Sequence, residues 1–349
     1  MNASKESPAG CRLLAGDVGG TKTMLALFAV GAPDATASSP LSLVREASFP
    51  SKEHGGLEDI LRIFLADDHE PLAAAAFGVA GPIVDQAVWT TNLPWHMTVA
   101  GLRASLGGIP VRLLNDLEAT ALGMLFLPPG SLLTLNAGIA RAGTRAVIAA
   151  GTGLGQAFVL QDGSRWIPVA TEGGHSDFAP RDALEIDLLR FLQRQFPRVS
   201  YERVISGPGL LNIFDFLVQE RGLSVASDVR ERLRGADPSA VIGELGVTGG
   251  CPTCVEAVER WISLYGAQAG NLALTVMATG GVYVGGGIVT KLVPKMTTGT
   301  FMRAFTAKGR YAPLLADIPV TLILEPKTAL NGAARAALAL ATSPSSKHC

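Results

Sequence analysis

Charge is what this chain has little of. Asp, Glu, Lys and Arg make up 17% of its 349 residues, and 29 basic against 30 acidic side chains leave a formal net charge of -1. A basic face of the kind that holds nucleic acid is not expected from such a balance. Cysteine is also scarce, and four in a chain of this length do not make a disulfide framework. The segment from Met1 to Arg12 lacks the apolar core of a signal peptide. Charge disappears altogether from residues 261–290, which raises a membrane helix as one reading. Gly266, Gly270, Gly280, Gly281, Gly285, Gly286 and Gly287, with Gln268 and Asn271, fall within that stretch and argue against it. The pattern fits better a helix ending near Thr279, a strand Val282-Tyr283-Val284 and a glycine turn. Cys251-Pro252-Thr253-Cys254 has no second pair or His cluster to complete a zinc site and no thioredoxin-like context, so it reads as structural. The expectation is a soluble cytoplasmic protein with no nucleic-acid partner and no membrane span.

What is present is apolar surface to bury. Hydrophobic residues reach 48%, and the length suggests two domains rather than one. The apolar run Val111-Arg112-Leu113-Leu114 ends at Asn115-Asp116. A carboxylate where a buried strand ends meets ligands in the crevice beyond the strand tips, which makes Asp116 a candidate proton acceptor. The plain alternative is a helix N-cap, because Leu117 to Leu122 follows as a helix.

Two glycine hairpins frame this dipeptide. The strand Arg12-Leu13-Leu14-Ala15 runs into Gly16-Asp17-Val18-Gly19-Gly20-Thr21-Lys22-Thr23 and then into the apolar run from Met24 to Val30. Glycine lets backbone N–H groups approach an anion, Thr21 adds a hydroxyl, and Asp17 suits a metal ion reached through water. The P-loop spacing is missing and no helix follows directly. The second hairpin is Ala146 to Ala150, then Gly151-Thr152-Gly153-Leu154-Gly155, then Gln156 to Leu160. Each alone is an ordinary hairpin with a glycine-rich turn. Together they suggest a duplicated fold with one phosphate loop in each half and a nucleotide held between the halves.

Thr91-Asn92-Leu93-Pro94-Trp95 reads as a polar turn able to hydrogen-bond a ligand, with Met97 to Leu106 as a helix beyond it. In Glu172-Gly173-Gly174-His175-Ser176-Asp177 a Gly-Gly bend turns Glu172 and His175 toward one point, which suits vicinal sugar hydroxyls. A metal site of Glu172, His175 and Asp177, or a structural turn, are the other readings. Glu202, just ahead of Ser206-Gly207-Pro208-Gly209 and a helix from Leu210, reads by itself as a solvated charge. Gly285-Gly286-Gly287 is a turn where a flat ring can lie close to backbone.

These seven motifs, in this order, resemble the bacterial glucokinase family of the sugar kinase/actin-like ATPase superfamily, over nearly the whole chain. The resemblance implies two actin-like (ribonuclease H-like) α/β domains with an active-site cleft between them. It places a small domain at 10–126 plus 325–349 and a large one at 127–324, with 1–9 a disordered tail. It implies ATP-dependent phosphorylation of D-glucose to glucose 6-phosphate, Asp116 being the general base. Glucose is then held by Asn115, Asp116, Glu172, His175 and Glu202, with Thr91 and Asn92 nearby. ATP phosphates meet Gly16, Asp17, Gly19, Gly20, Thr21, Lys22, Gly151, Thr152, Gly153 and Gly155, and the adenosine lies near Gly285, Gly286 and Gly287. Mg²⁺ and a homodimer are further implications. Two departures stand out: Lys22 occupies a position commonly Asn in these glucokinases, and the cysteine-rich zinc motif of the related ROK kinases does not follow His175. Competing readings are a kinase for another hexose or an N-acyl amino sugar, a polyphosphate donor, and a non-catalytic sugar-sensing regulator.

Overall fold

The computed structural model describes residues 12–31, 41–90, 92–163 and 165–343. Thr91 and the expected tail at 1–9 lie outside them. The chain divides into two compact units, one ending at Pro128 and resuming at Lys327, the other running Pro129–Pro326.

The first unit opens with β1 (Arg12–Val18), β2 (Lys22–Val30) and β3 (Leu41–Pro50), an antiparallel meander. Then come α1 (Leu57–Phe64), β4 (Leu72–Val79), β5 (Ala87–Trp89), β6 (His96–Thr98), α2 (Val99–Ser105), β7 (Val111–Asn115) and α3 (Asp116–Gly123). The sheet order is β3-β2-β1-β4-β7, with β1, β4 and β7 parallel. Both faces of β1 and β4 are covered, so they read as continuous apolar runs rather than alternating ones. Leu14, Leu25 and Phe77 are fully buried on one face, and side chains of this size contribute about 1.5–3 kcal/mol each on burial. The helix expected from Met97 starts only at Val99, because His96–Thr98 pairs with Ala87–Trp89 and Thr98 caps the helix by accepting from Gly101 N–H.

The second unit repeats the plan. It holds β8 (Leu132–Asn136), β9 (Arg145–Ala150), β10 (Leu154–Asp162), β11 (Arg165–Thr171), α4 (Ala183–Gln193), α5 (Gly207–Gln219), α6 (Ser227–Gly235), α7 (Pro238–Thr248) and α8 (Pro252–Thr275). β12 (Gly281–Gly285), α9 (Val289–Met296), α10 (Thr300–Thr306), α11 (Ala312–Asp317) and β13 (Val320–Ile323) complete it. Its sheet runs β11-β10-β9-β12-β13-β8. An antiparallel meander flanked by two parallel strands thus occurs twice, as the paired glycine hairpins imply. α8 is buried nearly all round, and Trp261 and Tyr265 are its largest fully buried side chains. It ends at Thr275 rather than Thr279, and Met277 then turns through φ +48°. Among the described residues no helix is long and apolar enough to cross a membrane.

The chain returns to the first unit as α12 (Thr328–Ala341), an alanine-rich helix lying on α3 and β4. Backbones touch there: a Cβ on Gly332 would fall 1.7 Å from the Ala119 carbonyl oxygen, and one on Gly123 would fall 1.9 Å from that of Thr328. The two glycines let α12 fix the helix that begins at Asp116.

Candidate active site

In the first unit the carboxyl ends of three parallel strands bring Asp17, Gly78 and Asn115 to one edge of the sheet. Asn115, not Asp116, is the helix N-cap. Its Oδ1 accepts from Leu117 N–H at 2.9 Å, and Glu118 Oε2 accepts from Asn115 N–H at 3.1 Å, closing a capping box. Asn115 Nδ2 also donates to Gly81 O at 3.2 Å, and the residue is 6% exposed, so one amide hydrogen is left for a ligand. Asp116 is the first helical residue, partly exposed, with Oδ1 accepting from Leu117 N–H at 2.9 Å. A carboxylate at that position is held by the helix end, which favours its ionised form. Gly78 permits this approach: a Cβ there would lie 2.9 Å from Ala119 Cβ and 3.8 Å from Asp116 Cα.

The first glycine turn is shorter than its motif. β1 continues through Val18, so Gly16 is a strand residue, and a Cβ on it would fall 2.5 Å from Phe77 Cδ1. Packing, not phosphate contact, requires glycine at that position. The turn itself is Gly19-Gly20-Thr21, closed by Gly19 N–H donating to Lys22 O at 3.0 Å. Gly20 is pressed against Asn92, whose Cβ would lie 2.6 Å from a Cβ on the glycine. Ser51, which sequence reasoning missed, ties the turn down from 32 residues away. Its hydroxyl donates to Gly19 O at 2.8 Å and meets Thr23 Oγ1 at 2.9 Å, and its N–H donates to Thr21 O at 3.1 Å. Ser51→Ala leaves Gly19 O and the Thr23 hydroxyl short of partners in a dry site, a cost of about 1–3 kcal/mol. The expected result is a several-fold higher KM for ATP with an unchanged KM for glucose, read by steady-state kinetics.

Asp17 lies beneath this turn. Burial pushes its carboxyl up to about 6, against the opposing charge of Lys22. Because the folded state holds this proton more tightly than the unfolded chain, stability is lost as pH rises from about 4 through 6. Asp17→Asn removes that loss, so the unliganded variant should be more stable at pH 7.5 by on the order of 1–2 kcal/mol after solvent screening. The gain should vanish at pH 4, and thermal melts at the two pH values check it.

In the second unit three loops lock together. Glu202 Oε2 accepts from Leu154 N–H at 2.9 Å, under the turn Gly151-Thr152-Gly153. A Cβ on Gly174 would fall 1.8 Å from Leu154 O, so the Gly-Gly bend lies directly on the same strand end. Phe178 N–H donates to Val199 O and Tyr201 N–H to Ser176 O, both at 3.0 Å, joining the bend to the short 3-10 turn Tyr201–Arg203. The outcome is a triad: His175 Nε2 stands 3.9 Å from Glu172 Oε2, and Nδ1 stands 3.9 Å from Glu202 Oε1. These spacings exceed hydrogen-bond length, so the three groups converge without consuming one another. Glu202 is therefore no solvated surface charge. Asp177 is turned away to Arg198, at 2.9 Å, and among the described residues no cluster of three or more His, Cys, Asp or Glu could hold a metal. The metal reading of Glu172, His175 and Asp177 is set aside on that geometry.

Gly155 lies inside β10, paired with Ala149, rather than in the turn. Ser206-Gly207-Pro208-Gly209 is the capped start of α5, with Ser206 Oγ accepting from Gly209 N–H at 3.0 Å. Gly207 N–H donates to Gly151 O at 2.9 Å. Between Gly151, Gly207, α7 and α9 opens a pocket of about 850 Å³, with Ser239, Gly243, Ile288 and Lys291 among its lining. Gly287 lines it as expected, whereas Gly286 is fixed by φ +99° and by Ala150 O, 2.1 Å from where its Cβ would stand. Gly285 O accepts from the Tyr265 hydroxyl. A pocket of this volume, lined by Ala240, Val247, Ile288 and Leu292 together with Ser239, Glu244 and Lys291, has room for a flat ring and a sugar.

Two copies of one meander-and-parallel sheet, one with a strand-end carboxylate and one with the converging Glu172, His175 and Glu202, define a sugar kinase of the actin-like class. Comparison with known proteins agrees. The glucokinase family profile matches residues 14–340. The glucokinase of Nostoc sp. is 38% identical, spanning 94% of this chain and 99% of its own, and that of Yersinia pestis is 34% identical over 92% and 94%. The crystal structure of a glucokinase from an Antarctic psychrotroph superposes with a TM-score of 0.81 at 30% identity, covering 93% of this chain and 98% of that one. A Balamuthia mandrillaris glucokinase solved with glucose shares the fold at TM-score 0.75 and 20% identity, over 94% and 93%. The chain belongs to the glucokinase family, the ATP-dependent kinases of glucose.

Proposed function

We propose that this enzyme moves the γ-phosphoryl group of MgATP to the 6-hydroxyl of D-glucose, with Asp116 as general base. The observation that carries the reading is the placement of Asp116: first residue of a capped helix, one oxygen fixed by Leu117 N–H, beside Gly78 at the strand ends. Phosphoryl transfer asks the protein mainly for positioning and charge stabilisation. Asp116 orients the 6-hydroxyl and takes its proton as the bond to phosphorus forms. Asn115, Glu172, His175 and Glu202 read the remaining hydroxyls, Asn115 with its spare amide hydrogen and the triad with its unspent lone pairs. Asn92 stands beside the first glycine turn in support, and Thr91 belongs to the same reading.

The amides of Gly20 and Gly153, with Thr21, Thr152 and Lys22, offset charge on the phosphates, while Gly19 and Gly151 spend their own N–H groups closing the two turns. The metal arrives with the nucleotide as part of the substrate. Asp17, next to the turn, would hold it through water. The base lies along Gly287 and Ile288. Work in the cytoplasm at the first step of glycolysis, as a homodimer, completes the proposal on family resemblance. A coupled ADP assay across glucose, mannose and N-acyl amino sugars, with MgATP and polyphosphate as donors, tests it. Glucose with MgATP should give the highest kcat/KM, and a higher value for another pair would overturn it.

A further inference from the structure

The sequence motif that the kinase reading leaves over is Cys251-Pro252-Thr253-Cys254. Cys251 is the N-cap of α8 and Cys254 its third helical residue, so the two side chains face each other across the first turn, as partners of a capping box do. The Cys251 sulfur accepts from Cys254 N–H at 3.4 Å, and both thiols are free. They differ in surroundings. Cys254 is fully buried and Cys251 is 4% exposed, and burial first, then the neighbouring Cys251, pushes the Cys254 thiol up to about 12. Cys251 borders a pocket of about 620 Å³, with Leu217, Val229, Arg221, Glu256 and Arg260 among its lining and Arg260 Nε paired with Glu256 Oε1 at 2.7 Å. A pocket beside the thiol admits a small reactant.

We propose that Cys251 and Cys254 form a reversible dithiol–disulfide centre, with Cys251 the attacking thiol and Cys254 the resolving one, oxidised by low-molecular-weight disulfides. The Cys251 thiolate attacks one sulfur of the small disulfide, forming a mixed disulfide and releasing one small thiolate, which takes up a proton. Cys254 gives up its proton and attacks the Cys251 sulfur, and the second small thiol leaves. Two protein thiols and one small disulfide become one protein disulfide and two small thiols. The order of attack follows from the pocket, which Cys251 lines and Cys254 does not. The site has a structural lever: α8 also carries Trp261, which donates to Ser206 O at 3.1 Å, and Tyr265, whose hydroxyl bonds Gly285 O at 3.0 Å beside the glycine turn.

The test uses the full chain with Cys11→Ser and Cys349→Ser, equilibrated in buffers of reduced and oxidised glutathione, then alkylated and mapped by peptide mass. The peptide holding both cysteines should convert to an internal disulfide, lighter by two hydrogens, and dithiothreitol should restore it. Cys254→Ser should accumulate a glutathione adduct on Cys251, whereas Cys251→Ser should leave Cys254 unmodified in the folded protein. Two thiols that stay fully alkylatable across all buffers, or an adduct forming first on Cys254, would overturn the proposal.

Discussion

Asp116→Asn is expected to lower kcat for glucose phosphorylation by about 10²–10⁴-fold. Glucose affinity should change by no more than a few-fold. The amide keeps the size of the side chain and an oxygen that accepts from Leu117 N–H, so the helix start stays in place. What is lost is the acceptor for the hydroxyl proton. A residue that acted only as helix cap would behave otherwise, since Asn caps as well as Asp. The cap is in any case supplied by Asn115, whose Oδ1 already serves the first turn. Steady-state kinetics with glucose binding measured separately distinguishes the outcomes, and near-normal turnover would remove Asp116 from the role of base.

Gly174→Ala should be the most damaging single methyl at the triad of Glu172, His175 and Glu202 proposed to read the sugar. The added Cβ would stand 1.8 Å from Leu154 O and 2.9 Å from its carbonyl carbon, and backbone cannot yield as a flexible side chain does. The bend must lift away from β10, carrying Glu172 and His175 off their 3.9 Å approach and from Glu202. A displacement near 1 Å costs about 100-fold in a positioned reaction. The expected loss is about 10²-fold in kcat/KM for glucose, with KM for ATP moving far less, because the glycine turn Gly151-Thr152-Gly153 is not itself touched. Equal losses in both KM values would mean that the bend supports the fold rather than the sugar.

Much of this was legible from residue order. A Gly/Thr turn between two apolar runs leaves little choice but a hairpin, and its recurrence at Gly151 after Gly19 exposed the duplicated sheet. Asn115-Asp116 was legible because the apolar run stops there and a helix begins. The cap assignment was not, since both residue types cap well and only the dihedrals and Leu117 N–H decide between them. Gly16 and Gly155 were read as loop because a glycine motif does not mark where the strand ends. Their neighbours Phe77 and Ala149 come from other strands. Contacts across sequence were the hidden part. Glu202 reaches Leu154 across 48 residues and Ser51 reaches Gly19 across 32, and neither has a local signal. The pocket along α7 and α9 was hidden for a related reason: the composition of residues 221–253 is polar, whereas Val241, Ile242 and Leu245 are buried once α7 folds.

The central claim is transfer to the 6-hydroxyl of glucose from MgATP. Phosphorus and carbon NMR of the product made from glucose and MgATP by the purified enzyme tests it directly. The account predicts glucose 6-phosphate as the single sugar product, formed in step with ADP. Phosphate on another carbon, or ADP release without a sugar phosphate, would contradict it.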